Sequence, residues 1–535
     1  MANDPELERN PALYALATTC TDFRDSALDL LWRKQKGLGN LIKCMPADLW
    51  QLHKCYVWNN ASPYHRAEYD RLSFKRELNS SDWYRWDFYA SRVREFRPTT
   101  RADARSGGSH MEMSKATYWT LMEHRPHPGI LPNVIELDWH WAYSRVKYRF
   151  GRVLIAPSLK SLSLAFRNPE TVEDAKALVA ALPQSCPSLH TLKLQFSDVA
   201  VFDELSDIIS GVRSLREFDL ETNRSLPAEL FRQLSSLPEL TSLVLMVWTP
   251  DHLAFRPQTC TDASQLPCFD SLRSLIVNSD DLSTPTTVIA AGQLPDLQDL
   301  SVASDTGDVM ALFQVIHAHC NPMSLQKLRI FRPEYGLKHQ TRTEPASTLR
   351  QLRRFPNLQD IHIQVPRGIQ PSDHDLEDLA AELGQIVNLY LAETLAMSPR
   401  SEDEYGNGVS LRALTTLVER CPRLERLTLD IDASTIDAQA TQRSGKHITN
   451  SNLKSIRLGT ASRPGDPGRV LAFLCDLAPK LQNIGFDYSG SSPEDREAWQ
   501  KVVWRLHCKR VRAGKEREYC YSLPRDTSSD TETDT

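Results

Sequence analysis

One arrangement of apolar positions recurs along the chain: an apolar residue, two others, then two apolar residues spaced two apart. It reads PNVIELDW from Pro132, PSLKSLSL from Pro157, PSLHTLKL from Pro187, SLREFDL from Ser214, PELTSLVL from Pro238 and SLRSLIV from Ser271. PDLQDLSV from Pro295, SLQKLRI from Ser324, PNLQDIHI from Pro356, IVNLYL from Ile386, PRLERLTL from Pro422, NLKSIRL from Asn452 and PKLQNIGF from Pro479 complete thirteen copies. The twelve intervals between Val134 and Leu481 average about 29 residues and range from 25 to 38. Apolar residues two apart share one face of an extended strand, so each phrase predicts a short strand with its apolar face turned to a core. Between phrases the spacing changes to the helical period. In ETVEDAKALVAAL from Glu170, Val172, Ala175, Leu178, Val179 and Leu182 fall on one stripe. PAELFRQLSSL, GDVMALFQVIHAHC, DLEDLAAELG, SLRALTTLVERC and DPGRVLAFLCDLA have the same character. Asp466 before Pro467 predicts a capped helix start, because the carboxylate accepts an orphan amide and proline loses nothing at the first helical position.

One strand and one helix in 25 to 38 residues cannot close a core alone, and stacking successive copies buries a continuous one. The fold predicted over residues 131–490 is therefore an α/β leucine-rich-repeat solenoid, a curved parallel sheet with helices on its convex side. The commonest such repeat has Asn three residues after the last Leu. Here only Asn223 fills that slot, with Asp280, Asp305 and Asp432 in other copies, so a regular asparagine ladder is not expected.

Residues 10–58 read as short helices without a strand phrase. Leu13, Leu16, Ala17 and Cys20 make one stripe, and Ala27, Leu28, Leu31 and Trp32 another, which predicts two short helices around Phe23. The plain reading of these helices is a cap on the first repeat. The stretch NPALYALATTCTDFRDSALDLLWRKQKGLGNLIKCMPADLW resembles the later helices of the F-box in fungal F-box proteins with leucine-rich repeats. SDWYRWDFYASRVREF from Ser81 is similar to the segment joining head and repeats in that group. The resemblance implies an all-helical F-box-like head at 1–60 and a connecting helical segment and loop at 61–130. It also implies a role as substrate-recognition subunit of an SCF-type ubiquitin ligase. A Skp-type adaptor would dock on Leu13, Leu16, Phe23, Leu28, Leu31 and Trp32 and bring the cullin scaffold, while the repeats select the protein to be ubiquitinated. The family's F-box opens with a Leu-Pro pair and a first helix; this chain has MANDPELER there, and its head is expected to lack that helix. The alternative is a stand-alone repeat scaffold that no longer binds the adaptor.

On the open face of the sheet, the residues flanking each pair of buried positions are offered to a partner. Most copies offer small or mixed groups. LREFDLE offers Glu217, Asp219 and Glu221, the next offers Val244 and Met246 with Trp248 beyond, and LQKLRIF offers Lys327, Arg329 and Phe331. Neighbouring carboxylates repel and give the fold nothing, and Trp, Arg and adaptable Met are residue types that anchor interfaces. The expected partner is a protein with a basic segment followed by an apolar anchor.

Composition removes other classes. A net charge of -5 and a pI near 6.3 give no general attraction to nucleic acid or to an anionic membrane. Eleven cysteines, without a C-x-x-C pair, indicate neither a disulfide framework nor a zinc ribbon. With no leader pattern and no run of eighteen apolar residues, a cytoplasmic or nuclear protein is expected.

No catalytic, cofactor or metal residue is predicted, and no enzyme. His124 with His127, and His317 with His319, lack the spacing and acid of a zinc hydrolase. Gly37 and Gly39 are read as a turn, Asp430 and Asp432 as polar residues at a strand end. Cys186, Cys320 and Cys421 are read as half-buried small residues at helix ends. Trp499, Val502, Val503 and Leu506 predict a helix at 491–512 that closes the last repeat. The acidic tail at 513–535 is expected to be disordered, with Thr527, Ser529 and Thr531 each followed by an acid at the third residue.

Overall fold

The computed structural model describes residues 11–59, 62–98, 111–125, 129–140, 145–167, 172–197, 205–224, 226, 228–248, 267–332, 347–366, 369–394, 408–434, 452–459, 462–486 and 493–512. His127, the tail at 513–535 with Thr527, Ser529 and Thr531, and most of the loop following Arg97 lie outside the described residues. The chain divides into two compact units, residues 1–327 and 328–535.

The first unit holds β1 (Lys34–Gln35), β2 (Trp50–Asn59), β3 (Ser62–Phe74), β4 (Glu95–Phe96), β5 (Met111–Met113) and β6 (Glu136–Trp139). It continues with β7 (Ser161–Phe166), β8 (Thr191–Phe196), β9 (Glu217–Thr222), β10 (Ser242–Val247), β11 (Ser274–Asp281) and β12 (Asp299–Thr306). Apart from β2, β3 and β5, these strands pair in chain order, all parallel. The boundary between the units falls in β13 (Lys327–Phe331). The second unit continues with β14 (Asp360–Pro366), β15 (Asn388–Thr394), β16 (Val409–Ser410), β17 (Arg426–Leu429), β18 (Ile431–Asp432), β19 (Ser455–Leu458) and β20 (Asn483–Phe486). Its main run pairs β14, β15, β17, β19 and β20, again parallel. Helices alternate with strands in both units, and the fold is the leucine-rich repeat.

All thirty-nine apolar positions of the thirteen phrases are buried. The phrase therefore specifies the core directly, each strand turning its second and third apolar residues inward while the first enters from the preceding turn. Two regularities join the copies. At most joints one carbonyl of a copy accepts two successive amides of the next: Ile135 O takes Lys160 N at 2.8 Å and Ser161 N at 3.0 Å, and Lys160 O takes His190 N and Thr191 N. The same fork recurs at Gln359, Val387, Glu425 and Lys454 in the second unit. Second, in five copies the polar residue before the first apolar position donates to the preceding copy's proline carbonyl. Ser158 bonds Pro132 O, Ser214 bonds Pro187 O, Ser271 bonds Pro238 O, Ser324 bonds Pro295 O, and Asn452 Nδ2 bonds Pro422 O. Serines at four strand entrances thus tie a copy to the one before it. Hydroxyls also serve the strand exits, where Ser279 and Ser304 bond carbonyls two residues ahead.

The helices expected between copies are present, at Val172–Ala180, Ala228–Ser235, Val309–His319, Asp373–Glu382, Leu411–Arg420 and Pro467–Leu477. Asp466 caps the last, accepting from Arg469 N at 2.8 Å. Gly307, between β12 and its helix, has φ +112°, and a Cβ there would lie 2.6 Å from Leu282 Cβ, so only glycine makes this bend without strain.

The head differs from the helical reading. Helices Pro11–Thr19 and Thr21–Trp32 form, with Phe23 inside the second, but β1 follows at once and β2 and β3 make an antiparallel hairpin. Strand formation wins at Trp50–Asn59 because it pairs with β3, Trp50 opposite Phe74 and Leu52 opposite Leu72, partners that no local spacing announces. Leu72 O then accepts from Ser114 N and Thr117 Oγ1, tying the hairpin to helix Lys115–His124. The segment expected to be only a connection also joins the ladder. Arg33 O takes Arg94 N and Glu95 N, and Arg94 O takes Ile135 N and Glu136 N, the same fork as in the repeats. The parallel series thus begins at Lys34, not near Val134, because a two-residue strand has no room for the third apolar residue of the phrase.

Candidate protein-binding surfaces

On β9 and β10 burial alternates residue by residue, so Glu217, Asp219, Glu221, Val244 and Met246 lie on the open face. Register places Asp219 beside Val244 and Glu221 beside Met246. Trp248 follows immediately, 39 % exposed. These six residues are brought together. Two of the acids are engaged: Lys193 lies 3.6 Å from Asp219, and Thr191 Oγ1 donates to Glu217 Oε2 at 3.2 Å. Burial pushes the Asp219 carboxyl up, Lys193 counters it, and the Glu221 charge adds to the rise. Lys327 and Arg329 are also committed, to Asp299 at 3.9 Å and Asp360 at 2.9 Å, while Phe331 is partly exposed. Both cations therefore pair with carboxylates of neighbouring strands.

The same alternation turns half-buried Ile276 and Asp280 on β11 and Asp305 on β12 to the open face. Their signal was present in SLIVNSDD and DLSVASDT as every second residue.

The head presents a second surface. No residue of helix Pro11–Thr19 is buried, and Tyr14, Leu16, Phe23 and Leu30 are exposed, the last two at 56 % each. Leu13, Leu28 and Leu31 are half-buried. Trp32 is not part of this surface. It is 8 % exposed and stacks on Tyr89 with ring centroids 4.5 Å apart, so an expected adaptor contact is instead core. Arg92 fixes the arrangement, bonding Asp25 Oδ1 at 2.7 Å and also reaching Asp29.

Burial pushes the Cys186 and Cys320 thiols up to about 12 and Cys421 to about 11, which makes them inert. All three are fully buried rather than half-buried, because the helix end meets the next strand turn; Cys186 Sγ and Cys421 Sγ point at the carbonyls of Ala156 and Leu383. His140 bridges Asp138 and Ser163, its Nε2 3.1 Å from Ser163 Oγ. Burial raises the Asp138 carboxyl, but the His140 bond and charge, with Arg97, hold it below the ordinary range. This chain has the connectivity of a hydrolase triad, yet Ser163 is buried within the ladder, paired in register with both Asp138 and Lys193, where a substrate has little access. A cavity of about 470 Å³ in the second unit is lined by Asp373, Ser410 and Asp432 among others. Its carboxylates are used locally: Asp373 accepts from Ser410 N, and Asp432 from Ser434 N. Among the described residues no group of three His, Cys, Asp or Glu could hold a metal ion, and no helix is long and apolar enough to cross a membrane.

No family model matches the sequence, and no curated protein matches it. Solved structures do. The leucine-rich-repeat protein LIC12759 of Leptospira interrogans is 17 % identical, over 70 % of this chain and 94 % of that one, with a TM-score of 0.35. An internalin (inlF) of Listeria monocytogenes is 15 % identical, over 63 % and 82 %, at 0.34. A chain of the Rad7–Elc1 complex in yeast is 13 % identical, over 74 % and 89 %, at 0.34. Similarity at this level concerns the repeat fold alone.

Proposed function

We propose that this leucine-rich-repeat protein binds other proteins and acts as the substrate-recognition subunit of an SCF-type ubiquitin ligase. In this reading helices Pro11–Thr19 and Thr21–Trp32 dock on a Skp-type adaptor, which brings the cullin scaffold. The substrate lies on the open face of the sheet around β9 and β10. The observation that carries the reading is the apolar surface of those two helices. Tyr14, Leu16, Phe23 and Leu30 on neighbouring helices are exposed to water, and large exposed apolar side chains mark a site of association where they gather. Leu16→Asp with Phe23→Asp, both at exposed positions, should abolish recovery of the adaptor and cullin from the cognate cell extract and leave the far-UV spectrum and melting temperature unchanged. Adaptor recovery that survives the double substitution would remove these helices as the docking surface.

A second reading, a stand-alone scaffold, is favoured by the Trp32–Tyr89 stack and the Arg92 bonds to Asp25, which fasten the second helix over the start of the ladder as a cap. Full-length chain that co-purifies with no adaptor, and that unfolds on the same double substitution, would select this reading.

A further inference from the structure

Along β10 the outward residues Val244, Met246 and Trp248 form an apolar stripe, which Ile276 widens on β11. The charge around the stripe selects its occupant. On one side Glu221 stands beside Met246. On the other, Trp248 and Asp280 each follow the last β10–β11 pair, Val247↔Ser279, and Asp280 and Asp305 lie between the β11–β12 pairs Ser279↔Ser304 and Asp281↔Thr306. Nearby cations are spent elsewhere, Lys193 on Asp219 and Lys327 on Asp299. Among the described residues Glu221, Asp280 and Asp305 have no ion-pair partner.

We infer that this face takes a basic segment of the partner protein, with one lysine or arginine side chain seated against the Trp248 ring beside Asp280 and Asp305, and an adjacent apolar side chain on Val244, Met246 and Ile276. The inference rests on the proposed role of the open face in binding protein. Adjacent parallel strands are about 4.8 Å apart, so two outward carboxylates at matching positions repel. Burial pushes both carboxyls above the ordinary range, and the Asp280 charge pushes Asp305 further. A cation removes that repulsion and gains the face of the indole as well. A guanidinium adds paired N–H donors that suit carboxylates. An acidic peptide or a nucleic acid backbone would be repelled by the same groups.

The test is selection of random dodecapeptides displayed on phage against immobilised full-length protein. The wild type should enrich peptides with Arg or Lys next to an apolar residue. Asp280→Asn with Asp305→Asn, which keeps side-chain size, should weaken those peptides about tenfold or more, in a salt-dependent way, and Trp248→Ala should weaken them too. Peptides that lose binding to Trp248→Ala but show no basic enrichment, or that bind the double Asn variant unchanged, would overturn the inference and leave the protein-binding role of the face intact. Recovery of no peptide at all would overturn both. A melting temperature raised by millimolar calcium chloride in the wild type and not in the double Asn variant would assign the carboxylates to a metal ion and overturn it as well.

Discussion

Asp280 and Asp305 illustrate what a single side chain costs when its partner is absent. Burial raises both carboxyls from an ordinary value of 3.8, and the charge of Asp280 raises Asp305 further. A folded-state pKa above the unfolded one means that stability from this source is present in full below about pH 3.8 and is lost as pH rises through the raised values. At neutral pH the fold carries the repulsion. Asp280→Asn with Asp305→Asn should therefore melt higher than wild type at pH 7, and the advantage should vanish below pH 4; equal melting temperatures at both pH values would show that solvent already screens the pair. Residue-level legibility was uneven. Alternation in LREFDLE and LTSLVLMVW identified outward residues correctly, because facing follows from strand period alone. Trp32 was misplaced for the opposite reason: helical spacing says which residues share a stripe, but not that Tyr89 arrives from a later helix to cover one end of it.

At the level of the element, the thirteen phrases were readable because each of their apolar residues lies in the core. The stitching between copies was not. Ser158, Ser214, Ser271 and Ser324 look like ordinary turn residues in sequence, and their role appears only when the preceding proline carbonyl is beside them. Ser214 donates to both Pro187 O and Leu189 O, each at 2.9 Å. Ser214→Ala leaves two partly wetted carbonyls without this donor and should cost about 1 kcal/mol, read as a lower urea midpoint with peptide binding unchanged. A midpoint equal to wild type would mean that water replaces the hydroxyl without loss. The two short rungs at Lys34–Gln35 and Glu95–Phe96 escaped the sequence pattern because they are too brief to display it. The hairpin of β2 and β3 escaped because strand pairing is settled across the hairpin rather than along either segment.

In each unit the strand at the chain end leaves an edge to protect, and a helix meets it. Helix Thr21–Trp32 runs directly into β1 in the first unit. In the second, Trp499, Val502 and Leu506 of helix Pro493–Arg512 are buried, with Trp499 6.0 Å from Phe486 and its Nε1 bonded to Ser462 O. Trp499→Ala should cost about 3–5 kcal/mol and expose the β20 edge, seen as aggregation on mild heating by light scattering; a variant that stays monomeric would mean the edge is protected by other means. The forked carbonyl has a further consequence. Since Lys160, His190, Arg216 and Thr241 each present the same acceptor to the next copy, a copy meets an equivalent joint on either side. Tandem duplication or loss of a whole copy in the gene would leave each remaining joint chemically intact. Such an array can therefore change length in evolution by unequal recombination, one repeat at a time, while its two protective ends stay constant.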